Sequence, residues 1–127
     1  AALMMNQKGH VSEGPGMCFF MVRDGVPVTP SITSNILESI TRDTVIQILR
    51  VEMGLETVER DVDRSELYAC EEAFYCGTAW EISPITSIDG IPVSTGKIGP
   101  LAGRLSEIYF NIATGAVEDT RGWLTAV

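Results

Sequence analysis

The spacing of apolar residues changes along the chain from short extended segments to helical stripes. Residues 3–12 form two extended segments around a Gln7-Lys8-Gly9 turn, and this arrangement predicts a β-hairpin. Residues 17–29 predict a second hairpin, because Asp24-Gly25 in their middle is a strong hairpin-turn sequence. Two consecutive hairpins predict a mostly antiparallel sheet.

Two longer segments carry apolar residues at helical spacing. The first stripe consists of Val45, Ile46, Ile48, Leu49 and Met53. Ser39 is suited to cap the N-terminus of this helix, and Gly54 is suited to end it. The second stripe consists of Leu101, Leu105, Ile108, Tyr109 and Ile112. The sequence therefore predicts two amphipathic helices.

The segments between and after these helices predict further strands at residues 57–60, 73–76 and 91–93. Residues 80–88 are read as one longer extended segment, and residues 64–70 as a short helix. Together these elements predict an α+β domain in which a sheet is covered by two main helices.

The composition is that of a single globular domain, with 127 residues, 45% of them apolar and 20% charged. The net charge of −8 disfavours nucleic acid and anionic membranes as partners, although a few backbone amides can still bind a small anion. No apolar run approaches the ~20 residues of a membrane span. The three cysteines lack a CxxC pair, so neither a disulfide framework nor a metal site is predicted, and a cytoplasmic location is expected.

Three polar segments are candidates for ligand binding. The Glu13 carboxylate could stabilise a protonated ring nitrogen, although a glutamate at a hairpin exit is more often simply solvated. The helix start at Ile40 and Thr41 could hold a phosphate, although most helices with such a start bind no ligand. Thr78 follows Gly77 and offers an amide and a hydroxyl, although these residues also suit a plain turn.

Other polar and aromatic residues are interpreted as structural. Cys18 and Cys76 are read as buried small residues, and Arg42-Asp43 as a surface ion pair. Trp80 and Trp123 could line a pocket or fill the core. An acidic stretch lacks the spacing of a calcium loop and is interpreted as a solvated face; it comprises Asp61, Asp63, Glu66, Glu71 and Glu72.

Taken in order, these motifs resemble the C-terminal domain of the branched-chain aminotransferases, within the class IV (fold-type IV) pyridoxal-phosphate enzymes. The matching motifs are Val11-Ser12-Glu13-Gly14, residues 25–30, Ile40-Thr41-Arg42-Asp43, Gly77-Thr78-Ala79, Ile88-Asp89-Gly90 and Gly96-Lys97-Ile98-Gly99-Pro100. The resemblance implies the fold of D-amino acid aminotransferase, whose larger C-terminal domain is a sheet or pseudo-barrel covered by helices. Residues 1–127 are assigned to that cofactor-binding domain.

The resemblance also implies a role for each residue of the candidate site. Glu13 would contact the pyridine nitrogen of pyridoxal 5'-phosphate, and Leu37 would pack on its ring. The phosphate would be bound by Ile40, Thr41 and Thr78. The substrate carboxylate would face the amides of Thr78 and Ala79, with Trp80 beside it.

The implied reaction transfers the amino group of leucine, isoleucine or valine to 2-oxoglutarate, in a homo-oligomer whose partners are these amino acids and 2-oxo acids. A fragment of an aminodeoxychorismate lyase or of a D-amino acid aminotransferase would share the contacts of Glu13. A non-catalytic binding or oligomerisation module also stays open.

The family's Schiff-base lysine and small N-terminal domain have no counterpart in the sequence. Lys8 lies too close to Glu13 to replace that lysine, and the other lysine is Lys97. The segment Met17-Cys18 and the segment Glu38-Ser39 depart from the family pattern, at a pocket position and at the phosphate loop respectively. We expect a chain that starts within a longer protein, contains no catalytic residue of its own and is inactive alone.

Overall fold

The computed structural model of the protein describes residues 1–127 and contains seven strands, two α-helices and one 3-10 helix. The strands are β1 (Cys18–Arg23), β2 (Val26–Pro30), β3 (Val58–Arg60), β4 (Glu72–Gly77), β5 (Glu81–Pro84), β6 (Ser87–Ile88) and β7 (Ile91–Pro92). The α-helices are α1 (Ile40–Met53) and α2 (Pro100–Ala113), and the 3-10 helix is Arg64–Tyr68. These elements confirm the predicted α+β class.

The main sheet has five strands in the order β3-β2-β1-β4-β5. Its β1–β2, β1–β4 and β4–β5 pairs are antiparallel, and only β2 and β3 run parallel. The strands β6 and β7 form a separate two-stranded sheet. The prediction of a mostly antiparallel sheet is therefore confirmed.

Both predicted hairpins are present. Asp24 and Gly25 have φ angles of 50° and 74°, which match the turn type that joins tightly twisted strands. The first hairpin is looser, since only Met5 and Val11 form a strand-like bridge, with the Met4 amide donating to the Glu13 carbonyl. This contact fixes the backbone of Glu13 at the exit of the hairpin.

Helix α1 begins and ends where its caps predict. The Ser39 hydroxyl accepts a hydrogen bond from the Arg42 amide, which satisfies one of the unpaired groups at the helix start. Gly54 adopts a left-handed conformation with a φ of 66°, and its amide donates to the Leu49 carbonyl. A left-handed conformation at a helix end costs the least conformational free energy when the residue is glycine.

The core lies on both faces of the main sheet, because successive residues of a strand point to opposite sides. On one face, the strands pack against α1 and α2 through Phe20, Ile48, Leu49, Phe74 and Leu105. On the other face, Phe19, Met21, Tyr75, Val11 and Val62 pack with the first hairpin and the loop before the 3-10 helix. The predicted cover of two main helices is thus confirmed for one face of the sheet.

Two details of the predicted elements are wrong. Residues 80–88 are two strands rather than one, because β4 provides partners only as far as Ala73, which pairs with Ile85. Beyond that point the chain pairs with β7 instead, as when the Val93 amide donates to the Thr86 carbonyl. The short helix is of the 3-10 type and ends at Tyr68 rather than at residue 70.

Neither α-helix is long and apolar enough to cross a bilayer.

Candidate functional site

The Glu13 side chain is held against the segment that leads into α1. Its Oε2 atom accepts a hydrogen bond of 3.1 Å from the Leu37 amide. After Glu13 the chain turns sharply, since the amides and carbonyls of Gly14 and Met17 bond to each other. Leu37 is 71% exposed, so its side chain is available to a ligand on the outer side of this contact.

The start of α1 leaves two backbone donors open. Ser39 receives the Arg42 amide on its hydroxyl and the Asp43 amide on its carbonyl. The amides of Ile40 and Thr41 have no acceptor within the helix, because the first turn of any helix lacks preceding carbonyls. Ile40 is 87% exposed, whereas Thr41 is buried. This arrangement suits an anion.

Arg42 ties the start of α1 to the end of β2 and to β3. The sequence did not predict this role. The Arg42 side chain is only 5% exposed, and its Nη2 atom donates to the Pro30 carbonyl and to Glu59. The expected surface ion pair with Asp43 is wrong, because Asp43 accepts instead from the Gln47 amide group. The pairing of β2 with β3 brings Pro30 and Glu59 together around Arg42. No local pattern in the sequence predicts this pairing.

The turn after β4 lies beside the Gly14-Pro15-Gly16 corner. A Cβ atom on Gly77 would lie 2.9 Å from the Gly16 carbonyl oxygen, closer than real Cβ atoms approach, so only glycine fits without movement. Thr78 and Ala79 follow and are exposed. The structure thus places the Thr78 turn next to the corner that follows Glu13.

Cys18 and Cys76 lie on the face of the sheet that α1 and α2 cover, close to the segment that contains Leu37. Cys18 and Cys76 are directly opposite each other in β1 and β4, and both are buried, as predicted for small core residues. The Cys18 thiol donates to the Leu37 carbonyl at 3.8 Å. A hydrogen bond from Cys76 holds the pKa of Cys18 below its usual value, and the same bond together with burial raises the pKa of Cys76.

The tryptophans occupy different places. Trp80 is 47% exposed and lines a cavity of about 690 Å³ with Leu3, Tyr75 and Ile85. Trp123 packs at the margin of the helix-side core, with the Arg121 guanidinium 4.9 Å from its ring. This cavity is lined by neither Glu13 nor Thr78, and Ile40 and Thr41 line a separate cavity of about 260 Å³.

The acidic stretch is not a uniformly solvated face, and that interpretation is wrong for two of its members. Glu72 is buried, and its two carboxylate oxygens accept from the amides of Leu101 and Ala102. Glu66 bonds to Arg60 and Arg23, and the Arg60 guanidinium lowers the pKa of Glu66 to about 2. The partners of Glu72 on α2 and the Arg23 partner of Glu66 are 29 or more residues away in the sequence, so the local pattern does not show them; Arg60 is only six residues from Glu66.

Most of the chain matches a known protein family. The family model described as "Amino-transferase class IV" matches residues 1–88, which include Glu13, the start of α1 and the Thr78 turn. The chain belongs to the class IV aminotransferase family. The resemblance inferred from the sequence motifs is thereby confirmed.

Three proteins that this class IV chain resembles are named as branched-chain aminotransferases. The branched-chain-amino-acid aminotransferase of Escherichia coli (strain K12) is 42% identical over 98% of this chain. The structure of the branched-chain aminotransferase from Thermobaculum terrenum in its PLP-form superposes with a TM-score of 0.93, at 52% identity over 98% of this chain. The branched-chain aminotransferase from the archaeon Thermoproteus uzoniensis, solved with norvaline, has a TM-score of 0.91 and 44% identity over 98% of this chain.

The chain spans 40% of the length of each of these three proteins. The high TM-scores over nearly the whole chain show that it has the fold-type IV architecture that the sequence resemblance implied.

Proposed function

We propose that this chain is the C-terminal cofactor-binding domain of a pyridoxal-phosphate-dependent aminotransferase that acts on branched-chain amino acids. The single observation that carries the proposal is the contact between Glu13 and Leu37, which ties the residue proposed for the pyridine nitrogen to the segment that leads into α1. The names of the related enzymes support the substrate class, since every relative named above is a branched-chain aminotransferase.

The donors and acceptors of the site fit the proposed cofactor. Glu13 uses one carboxylate oxygen for the Leu37 amide, so the other oxygen is free to accept from a protonated pyridine nitrogen. The Ile40 and Thr41 amides are donors without intrahelical acceptors, which suits a phosphate. Thr78 adds a hydroxyl and an amide on an exposed turn. Pyridoxal phosphate, when bound, supplies an electron sink for carbon acids.

The residues of this chain would bind and orient the reactants. The Glu13 carboxylate holds the proton at the ring nitrogen, because an adjacent negative charge favours the protonated ring. The Thr78 and Ala79 amides face the carboxylate that amino acids and 2-oxo acids share. Trp80 follows them in the sequence, lines the cavity of about 690 Å³ and would limit the space for the substrate side chain.

The amine that would move the substrate proton belongs to the segment supplied by the longer enzyme. Lys8 and Lys97 are both exposed, and the Lys8 amide is engaged by the Asn6 side chain in the hairpin turn. We expect no transamination of leucine with 2-oxoglutarate by the 127-residue chain alone. The longer enzyme is proposed to be a cytoplasmic homo-oligomer.

The cofactor site is tested by titrating the chain with pyridoxal phosphate and following the absorbance of the bound cofactor. We expect saturable binding, and we expect Glu13→Gln to weaken it about tenfold or more, since a hydrogen bond to a charged group contributes about 1.5–3 kcal/mol. Glu107→Gln is the matched control, because it makes the same change at an exposed position on α2.

Equal affinities for Glu13→Gln and the parent chain would contradict the proposed contact with the pyridine nitrogen. Inorganic phosphate is expected to compete with pyridoxal phosphate, because both would bind to the open amides of α1. An absence of any saturable binding would mean that the site is not formed by this chain.

A further inference from the structure

Arg42 directly follows the two residues whose amides are open at the start of α1. Its own amide donates to the Ser39 hydroxyl at 3.3 Å, so the next donor of the first turn is already used. Its side chain is only 5% exposed and is fixed as well, because Nη2 donates to the Pro30 carbonyl at 3.2 Å. The backbone of Ile40 and Thr41 is therefore continuous with a residue whose amide and side chain are both held.

The partners of the Arg42 guanidinium belong to the main sheet. Pro30 is the last residue of β2, and Glu59, which accepts from the same Nη2 atom, is the middle residue of β3. β2 and β3 pair in parallel, with Thr29 opposite Glu59. Paired backbone groups in a sheet open less readily than those at the end of a helix. Arg42 thus links the first turn of α1 to a more rigid part of the molecule.

This link is not the arrangement that stability alone favours. The Glu59 side chain is 47% exposed, whereas that of Arg42 is buried and its Nε atom has no hydrogen-bond acceptor in the chain. Burying a guanidinium with an unpaired donor costs free energy, and an apolar side chain of similar size often stabilises a buried position at least as well. The buried charge therefore indicates a role in the neighbouring site as well as in the fold.

An anion bound by two neighbouring amides requires both N–H groups to point towards it. The first turn of a helix frays readily, because its donors lack acceptors within the helix. A fixed first turn presents the Ile40 and Thr41 amides in one orientation before the ligand arrives, which removes an ordering cost from binding. The contacts of the Arg42 side chain provide this fixation.

We propose that Arg42 is a positioning residue for phosphate binding, which holds the amides of Ile40 and Thr41 in place by tying the first turn of α1 to β2 and β3. This inference rests on the proposed function, which assigns the cofactor phosphate to these two amides. Arg42 acts through the helix and does not touch the phosphate, because Pro30 and Glu59 engage its guanidinium. Loss of the side chain should therefore weaken phosphate binding even where the chain stays folded.

The proposal is tested by titrating the isotope-labelled chain with inorganic phosphate and following the amide resonances of Ile40 and Thr41 by NMR. We expect both resonances to shift saturably. Arg42→Met should raise the Kd about tenfold, the factor that corresponds to the loss of one hydrogen bond to a charged group. Arg42→Lys should recover part of the affinity, because an ammonium group can still donate to the Pro30 carbonyl. Urea unfolding of each variant shows that the titrations compare folded chains.

Arg50→Met is the matched control, because it removes the same charge from an exposed position in the last turn of the same helix. Its Kd should stay within about twofold of the parent value, since an exposed and solvated charge contributes little. Equal Kd values for Arg42→Met and Arg50→Met would overturn the positioning role and leave the phosphate site standing. Amides of Ile40 and Thr41 that do not respond to phosphate in the parent chain would refute the site itself, and this inference with it.

Glu59→Met keeps the proposal falsifiable if Arg42→Met fails to fold. Glu59 is half exposed, so its replacement should leave the fold intact while it removes one of the two partners of Arg42. Removing a negative charge would by itself strengthen the binding of an anion, whereas loosening of the first turn weakens it. We expect a higher Kd for phosphate in Glu59→Met. An unchanged or lower Kd would overturn the proposal.

Discussion

The Glu72 carboxylate caps a helix that supplies no side-chain cap of its own. Helix α2 starts after Gly99, which has no side chain that could cap the helix. The first turn of α2 contains no acidic residue. The Glu72 oxygens instead accept from the Leu101 amide at 3.0 Å and from the Ala102 amide at 2.9 Å. A Cβ atom on Gly99 would overlap the Glu72 Cδ atom, so glycine is required to admit the carboxylate. We predict that Glu72→Gln destabilises the protein markedly.

The magnitude follows from what glutamine retains at this position. Its single carbonyl oxygen can accept from one amide, but its NH2 group would face the other amide as a second donor. The variant therefore loses one hydrogen bond to a charged acceptor, worth about 1.5–3 kcal/mol, and the attraction of the charge to the helix dipole, worth about 0.3–1 kcal/mol. The expected loss of unfolding free energy is about 2–4 kcal/mol, a large share of the stability of an ordinary domain.

The assay is urea unfolding followed by circular dichroism, with the midpoint and the slope compared between variants. Glu71→Gln is the control, because Glu71 accepts a backbone hydrogen bond from Gly25 but is exposed. This neighbour should lose less than about 1 kcal/mol, as expected for a solvated interaction. Equal losses in the two variants, or a loss below about 0.5 kcal/mol for Glu72→Gln, would refute the capping role.

Two further predictions concern the sheet and its ion pairs. Because Arg60 lowers the pKa of Glu66 from 4.5 to about 2, this glutamate stabilises the fold above pH 4.5 and loses that contribution as the pH falls towards 2. Urea midpoints measured against pH should fall less steeply over this window in Glu66→Gln, and an unchanged slope would contradict the pairing. Gly77→Ala should cost about 1–3 kcal/mol, because its Cβ would press on the Gly16 carbonyl. Gly103→Ala has no contact closer than 4.0 Å and should not destabilise α2, so a loss in thermal midpoint as large as that of Gly77→Ala would contradict this explanation.

The parts of the fold that the sequence predicted are those with local signals. Ser39 and Gly54 mark the ends of α1 because a cap is formed by residues within one turn of the helix end. Asp24 and Gly25 mark their hairpin for the same reason. Glu13 was identified by motif resemblance, which carries information that its local sequence alone does not.

The parts that escaped prediction depend on contacts between distant segments. Glu72 and Arg42 both look like surface residues in the sequence, since charged side chains are mostly exposed. Glu72 is paired with the Leu101 amide, which is 29 residues away in the sequence, and Arg42 is paired with Glu59, which is 17 residues away. These partners compensate for the burial of each charge. The local pattern around each charged residue contains no trace of such a partner.

The two edges of the main sheet offer little to a strand from another molecule. β3, at one edge, has only three residues, and β5, at the other, has four and ends at Pro84, which has no amide hydrogen. Short, charged or proline-containing edges hinder the addition of foreign strands and the growth of fibrils. Aggregation of the protein at high concentration is therefore expected to proceed through its exposed apolar side chains rather than through extension of the main sheet.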